Sequence, residues 1–228
     1  MTEVNLQNMP EILKAAGGLP IFMIQGNADA FSFFHIQENR SEYPSVKALE
    51  AGVHEWEGFR VFGLGGVEAN DAGSINVNKF NPKYGGVFSG EVFSGRIDAL
   101  CRLTSRWRES DWRRTIMMTH QPAEGFVDVF GGKHAGSSLV EKLVRRTYPL
   151  LHLAGHVHDA VADVEKDEQT GKDVRTYRPD RTREIIDGKT LTVNIGGGFL
   201  HDPEVRMWLI DLDALVEKGV SISAGQEA

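Results

Sequence analysis

Apolar residues gather in four short runs, at positions 19–24, 116–118, 150–153 and 191–193, each closed by glycine or a polar turn. Runs this short and continuous mark strands covered on both faces, because a strand with one face in water alternates instead. A fifth run, 207–212, reads as a last strand. Between the strands the apolar spacing becomes helical. In residues 138–148, Leu139, Leu143 and Val144 turn one helical face inward, and residues 90–107 form a second long helix. Residues 10–16 place Pro10 in a first turn and Gly17 and Gly18 just past the end, the usual asymmetry of a helix start and stop.

Other segments change the pattern. Residues 52–66 alternate as a hairpin whose second strand, 59–64, runs into Gly63, Gly65 and Gly66. Residues 164–189 are charged and carry Gly171 and Gly188 at turns, which predicts a surface hairpin inserted between strands. Residues 70–90 are rich in Gly and Asn without periodicity and read as an irregular loop near a site. No repeat or linker divides the chain, so its 228 residues are expected to form one α/β domain, 1–228.

Charge and composition narrow the partners. The formal charge of −7 disfavours nucleic acid and anionic membrane, both of which are bound mainly through clustered Lys and Arg. The one basic stretch, from Arg102 to Arg114, is interleaved with Glu109 and Asp111 and reads as a solvated helix face. No apolar run approaches the roughly 18–20 residues that span a bilayer, and Thr2, Glu3, Val4 and Asn5 do not resemble a leader, so a cytoplasmic location is expected. Cys101 is alone, which rules out an internal disulfide or a cysteine zinc site; its spacing with Ile97, Leu100 and Trp107 predicts a core thiol.

Three of the apolar runs end in metal-ligand residue types: the first in Gly26, Asn27 and Asp29, the second in Thr119 and His120, the third in Gly155, His156 and His158. Ligands of open α/β sheets bind beyond the carboxyl ends of strands, so Asn27, His120, His156 and His158 can converge despite their separation in sequence. Gly155 allows a sharp turn, and alternate spacing sets His156 and His158 on one side of an extended backbone. An isolated H-x-H is common by chance; its context gives this one weight. His152, inside a strand, reads as a satisfied core imidazole. His134 and His201 read as exposed turns, although His201 with Asp202 could line a substrate pocket; His35 and His54 have no motif around them.

The order G-N-x-D, T-H, helix, G-H-x-H resembles the third, fourth and fifth motifs of the calcineurin-like metallophosphoesterases, in particular their small archaeal and bacterial members. The likeness extends through F-V-D-V-F-G-G-K-H-A-G-S (126–137) and T-V-N-I-G-G-G (192–198). It implies a four-layer α/β/β/α sandwich of two mixed sheets. It also implies that Asn27, His120 and His156 hold one metal of a dinuclear site and His158 the other, with Asp29 in a supporting role. Imidazole and amide donors suit Mn, Fe, Zn, Ni or Co, and the implied reaction is hydrolysis of a small phosphoester by metal-activated water. Metallo-β-lactamase and amidohydrolase readings of H-x-H fail because the pair comes late in the chain.

Two departures from the family pattern bear on activity. Ala28 stands where many members carry a His thought to be the general acid, which leaves leaving-group protonation to water. Neither D-x-H nor G-D-x-x-D occurs before Asn27, so the fold is expected to be incomplete at its N-terminus. The bridging carboxylate would then come from an upstream segment or a partner chain. The alternative is a non-catalytic or truncated remnant of the fold that binds at most one metal.

Overall fold

The computed structural model describes residues 9–27, 41–49, 52–69, 86–157, 162–166, 171, 173–177, 181–195 and 209–220. They fall into two compact units, one of Met1–Arg106 with Met118–His120, the other of Trp107–Met117 with Gln121–Ala228.

In the first unit, helix α1 (Met9–Ala16) leads into β1 (Ile21–Met23), which pairs in parallel with β2 (Val46–Ala48), Ile21 opposite Val46. Val46 is buried beneath Leu13, Ile21, Met23 and Tyr43. Strands β3 (Val53–Trp56) and β4 (Phe59–Leu64) form the expected hairpin. Its two turn residues, Glu57 and Gly58, both have positive φ, the geometry that matches the twist of the flanking strands. From Val61 onward every residue of β4 is buried, which is why its sequence reads as a continuous apolar run. Strand β5 (Val67–Ala69) pairs in parallel with β6 (Val87–Ser89), which feeds α2 (Gly90–Leu103). The part of the expected loop 70–90 between β5 and residue 86 lies outside the described residues; its end is β6 rather than irregular chain.

Helix α2 buries Phe93, Ile97 and Leu100 and stops at Leu103, short of the expected end at 107. The Thr104 hydroxyl donates to the Leu100 carbonyl at 2.9 Å, and the chain restarts as the one-turn helix α3 (Glu109–Trp112), where the Asp111 carboxylate accepts from the Arg108 N–H at 2.8 Å. These local side-chain partners compete with continued helix. The basic stretch therefore spans a turn and a short helix, not one helix face. Cys101 is half-buried on α2 rather than a core thiol.

In the second unit the strand order is β13 (Arg183–Ile186), β14 (Thr190–Asn194), β10 (Leu151–Ala154) and then β7 (Thr115–Thr119), of which Thr115, Ile116 and Met117 belong to this unit. Strands β10 and β14 are parallel, with Ala154 opposite Asn194, while β13 and β14 are antiparallel. All five residues of β14 are buried. Two small hairpins, β8 (Val129–Phe130) with β9 (Lys133–His134) and β11 (Ala162–Lys166) with β12 (Asp173–Tyr177), complete the strands. The expected single hairpin over 164–189 is thus divided, since its second half supplies β13.

Helix α4 (Ser138–Thr147) starts on the Ser137 hydroxyl, which accepts from the N–H groups of Leu139 and Val140, and ends at Tyr148 in a left-handed conformation. In place of the last part of the expected strand 207–212, helix α5 (Leu212–Lys218) begins, because the Asp211 carboxylate accepts from the Ala214 N–H at 2.9 Å. Residues 207 and 208 lie outside the described set.

Candidate metal centre

Strand β1 ends at Met23, and the chain continues through Gln25 and Gly26 to Asn27. Strand β7 ends in Thr119, and His120 follows. His120 Nε2 lies 2.9 Å from Asn27 Oδ1, although the two are 93 positions apart in sequence. The ring N–H donates to the amide oxygen here. To ligate through Nε2 the imidazole would carry its proton on Nδ1 instead, and the same two atoms would then both present lone pairs to one cation. This juxtaposition of neutral nitrogen and oxygen donors fits a borderline divalent ion.

Glycine makes the Asn27 turn possible. A Cβ on Gly86 would lie 2.1 Å from the Gly26 carbonyl oxygen and 2.6 Å from the Asn27 Cα. One on Gly65 would lie 2.7 Å from the backbone of Gln25, and one on Gly63 2.6 Å from Ile24 and Leu49. Hydrogen bonds follow the same contacts: Gly66 N–H donates to the Gln25 carbonyl at 2.6 Å, and His120 N–H to the Leu64 carbonyl at 3.2 Å. The Arg96 guanidinium, stacked on the Phe88 ring at 4.3 Å, donates to the Gly65 carbonyl at 2.8 Å.

His156 follows β10 in a different conformation from the extended one expected. Its φ is +65°, and Val157 N–H donates to the Gly155 carbonyl at 2.7 Å. This closes a γ-turn of the strained, positive-φ kind centred on His156. His156 is half-buried there. His158, Asp29 and Ala28 lie outside the described residues, as do His35 and His201. Among the described residues no three His, Cys, Asp or Glu side chains gather into a metal-binding group.

The loop between β7 and α4 is organised by Asp128, which is fully buried. Its Oδ2 accepts from the N–H groups of Gly125 and Gly136, each at 3.0 Å, and its Oδ1 pairs with His134 Nδ1 at 2.7 Å. That hydrogen bond and the carboxylate charge raise the pKa of the exposed His134 above its usual value. Burial raises Glu184, and the Asp128 charge adds to that, while Val127 N–H bonds its carboxylate and opposes the rise. Val127 itself has φ +47°, a rare conformation for a β-branched residue. Its carbonyl accepts from Asn194 Nδ2 at 2.8 Å, and the same nitrogen donates to the Val157 carbonyl at 3.0 Å.

Among the remaining histidines, His152 is the core imidazole expected. It is fully buried, Nδ1 lies 2.9 Å from Thr192 Oγ1, and burial lowers its pKa to about 4. His54 is half-buried on β3 beside the Phe22 ring at 6.4 Å. Sequence reasoning passed over Asp128, Asn194 and Gly86. A lone Asp amid Phe126, Val127 and Val129, and an Asn closing a fully apolar run, were the available signals.

Residues 2–160 match the family model of the calcineurin-like phosphoesterases. No curated protein matches the chain. One crystal structure is similar at a TM-score of 0.51 and 22% identity, over 77% of this chain and 56% of that one. Another, of TT1561 of Thermus thermophilus, gives a TM-score of 0.49 and 20% identity, over 82% of this chain and 66% of that one. The chain thus spans little more than half the length of the first of these, and at such identities the likeness is one of fold. The mixed sheet with flanking helices is the calcineurin-like α/β fold, and the chain belongs to the calcineurin-like phosphoesterase family.

Proposed function

We propose that the chain is a hydrolase of small phosphoesters that works with divalent transition metal ions, held by Asn27, His120 and His156 at one position and by His158 at a second. The observation that carries this reading is the 2.9 Å approach of His120 Nε2 to Asn27 Oδ1, two donors of the right chemistry brought together from the ends of two strands. A bound pair of Mn, Fe, Zn, Ni or Co ions supplies charge to polarise the phosphoryl oxygens and to lower the pKa of the attacking water. The residues of the chain orient and hold. Asn27 is fixed by its glycine neighbours and His120 by its backbone bond to Leu64, while Asp29 keeps the supporting role that the family resemblance implies. No side chain stands in the place of the family's general acid, since that position is Ala28, so the leaving oxygen takes its proton from solvent.

The substrate proposed is a small soluble phosphoester met in the cytoplasm, in keeping with the acidic charge. No described helix is long and apolar enough to cross a membrane. A second reading is a non-catalytic chain of the same fold that holds at most one ion, at Asn27 and His120, and hydrolyses nothing. Metal content and turnover of an aryl phosphate, measured on the same dialysed sample with Mn and with Ni, separate the readings. Two ions per chain with turnover that His120→Ala abolishes supports the first. At most one ion, without turnover, supports the second and overturns the first.

A further inference from the structure

Five described residues other than glycine have positive φ: Glu57, Val127, Tyr148, His156 and Asp187. Three have an ordinary reason. Glu57 and Asp187 sit in hairpin turns and Tyr148 ends α4. Val127 and His156 have none, and one side chain bonds both Val127 and the residue that follows His156. Asn194 Nδ2 donates to the carbonyl of Val127 and to that of Val157, the residue that closes the γ-turn around His156.

Asn194 is well placed to hold both. It is 1% exposed, it lies opposite Ala154 in the parallel pairing of β14 with β10, and its own N–H donates to the Thr182 carbonyl at 2.8 Å. Ile195 N–H also donates to the Ala154 carbonyl at 2.8 Å, so the strand end that carries the amide is anchored on both sides. A strained backbone conformation persists only when its surroundings over-determine it, and such conformations gather at functional sites. Here two amide hydrogens from one nitrogen meet two carbonyls that lie outside the strands. We infer that Asn194 is a positioning residue, which holds His156 in its strained turn and ties that turn to the loop organised by Asp128, so that the imidazole is preset for an ion. This rests on the reading of His156 as a ligand.

The test is manganese affinity of the full chain by calorimetry, with folding followed by circular dichroism at a temperature where every variant is folded. Asn194→Ala and Asn194→Asp are compared with Val193→Ala, a neighbouring buried residue of the same strand that contributes packing alone. Asn194→Asp keeps the shape but turns oxygen toward both carbonyls. Loss of an outer-shell partner typically weakens metal binding about 10–100-fold, and that loss is expected for both Asn194 variants. Val193→Ala should stay within roughly twofold of the parent chain despite a lowered melting temperature. Unchanged affinity in the Asn194 variants overturns the inference while leaving the metal reading intact. Equal weakening in Val193→Ala also overturns it, by showing the loss to be general. A parent chain that takes up no Mn, Ni or Zn overturns the metal reading, and the inference with it.

Discussion

The turn that carries Asn27 is held by what its neighbours lack, and the turn that carries His156 by what a neighbour donates. Around Asn27 the fit is steric: Gly65 and Gly86 leave room for backbone to meet backbone, Gly63 leaves room for the side chains of Ile24 and Leu49, and any side chain there collides. Around His156 the fit is polar: one buried carboxamide satisfies two carbonyls and stabilises a conformation the chain would otherwise leave. A steric notch is broken by adding a single carbon, and a polar clamp by removing a single donor. The first should therefore fail as over-packing does and the second as a lost hydrogen-bond partner does.

The largest effect is expected from Gly86→Ala. Its Cβ would sit 2.1 Å from the Gly26 carbonyl oxygen, a collision with backbone that no rotamer relieves. A loss of about 3 kcal/mol or more, at the upper end for over-packing, should lower the melting temperature by roughly 10 °C and displace Asn27 enough to remove metal binding. Calorimetric unfolding together with metal titration reads both, and a stable variant with normal affinity would show that the notch is not needed.

Asp128→Ala comes next. It leaves the N–H groups of Gly125 and Gly136 without their carboxylate acceptor, at a cost of about 2–3 kcal/mol. Chemical denaturation measures the loss. Asp128→Asn, which keeps an acceptor oxygen, should recover part of it, and equal losses in the two variants would point to the charge rather than the acceptor.

Acid exposes a third element. Buried His152, with its pKa lowered to about 4, stays neutral in the folded chain while the unfolded chain takes up a proton below its ordinary value of 6.5. Both states are neutral above that value, so there is no effect there. Stability is then lost as pH falls through the window down to about 4, and levels off below. Between pH 7 and pH 5 the loss from this group should be about 2 kcal/mol. Denaturation at the two pH values in the parent and in His152→Asn tests it, the variant showing the shallower slope. His134, raised by Asp128, acts in the opposite sense: its pairing stabilises most at low pH and is lost as pH rises through its folded pKa.

The smallest effect belongs to the surface. Arg145 bonds both Glu141 and Asp187, and Tyr148 donates to Asp187 at 2.8 Å, but the two bonds to Asp187 are open to solvent and that to Glu141 is only partly buried. Arg145→Ala should shift the melting temperature by roughly 2 °C or less, and the shift should shrink in high salt. A larger change would place this cluster with the buried clamps.

What the sequence disclosed depended on whether a residue's partners were local. Strand β4 was legible to the residue because its apolar run and closing glycines are contiguous, and the pairing of Asn27 with His120 followed from both standing at strand ends. His152 was legible as core because it interrupts an apolar strand. Asp128 and Asn194 were not, because their partners are backbone groups of loops far away in the chain, which no spacing records. The break after α2 turned on the Thr104 hydroxyl and the Asp111 carboxylate, weak local signals against an otherwise helical pattern. Six apolar and acidic residues at 207–212 fit a strand as well as a helix start, and the cap at Asp211 decided for the helix at its end. His156 was placed at its strand end, but its positive φ could not be foreseen, since nothing about histidine asks for it.

The hairpin of β8 and β9 has its base in the Asp128 network and its tip in water, where Val129 and Phe130 are 45% and 52% exposed and Gly131 and Gly132 make the turn. One buried carboxylate closes the loop on Gly125 and Gly136 and pairs with His134, so of the hairpin only the exposed turn at Gly131 and Gly132 stands beyond that closure. In evolutionary terms this makes the tip a cassette. Its length and side chains can be exchanged by insertion or recombination while the closure beneath is inherited unchanged, and related chains can diverge in what they present at that edge without rebuilding the turn that carries His156.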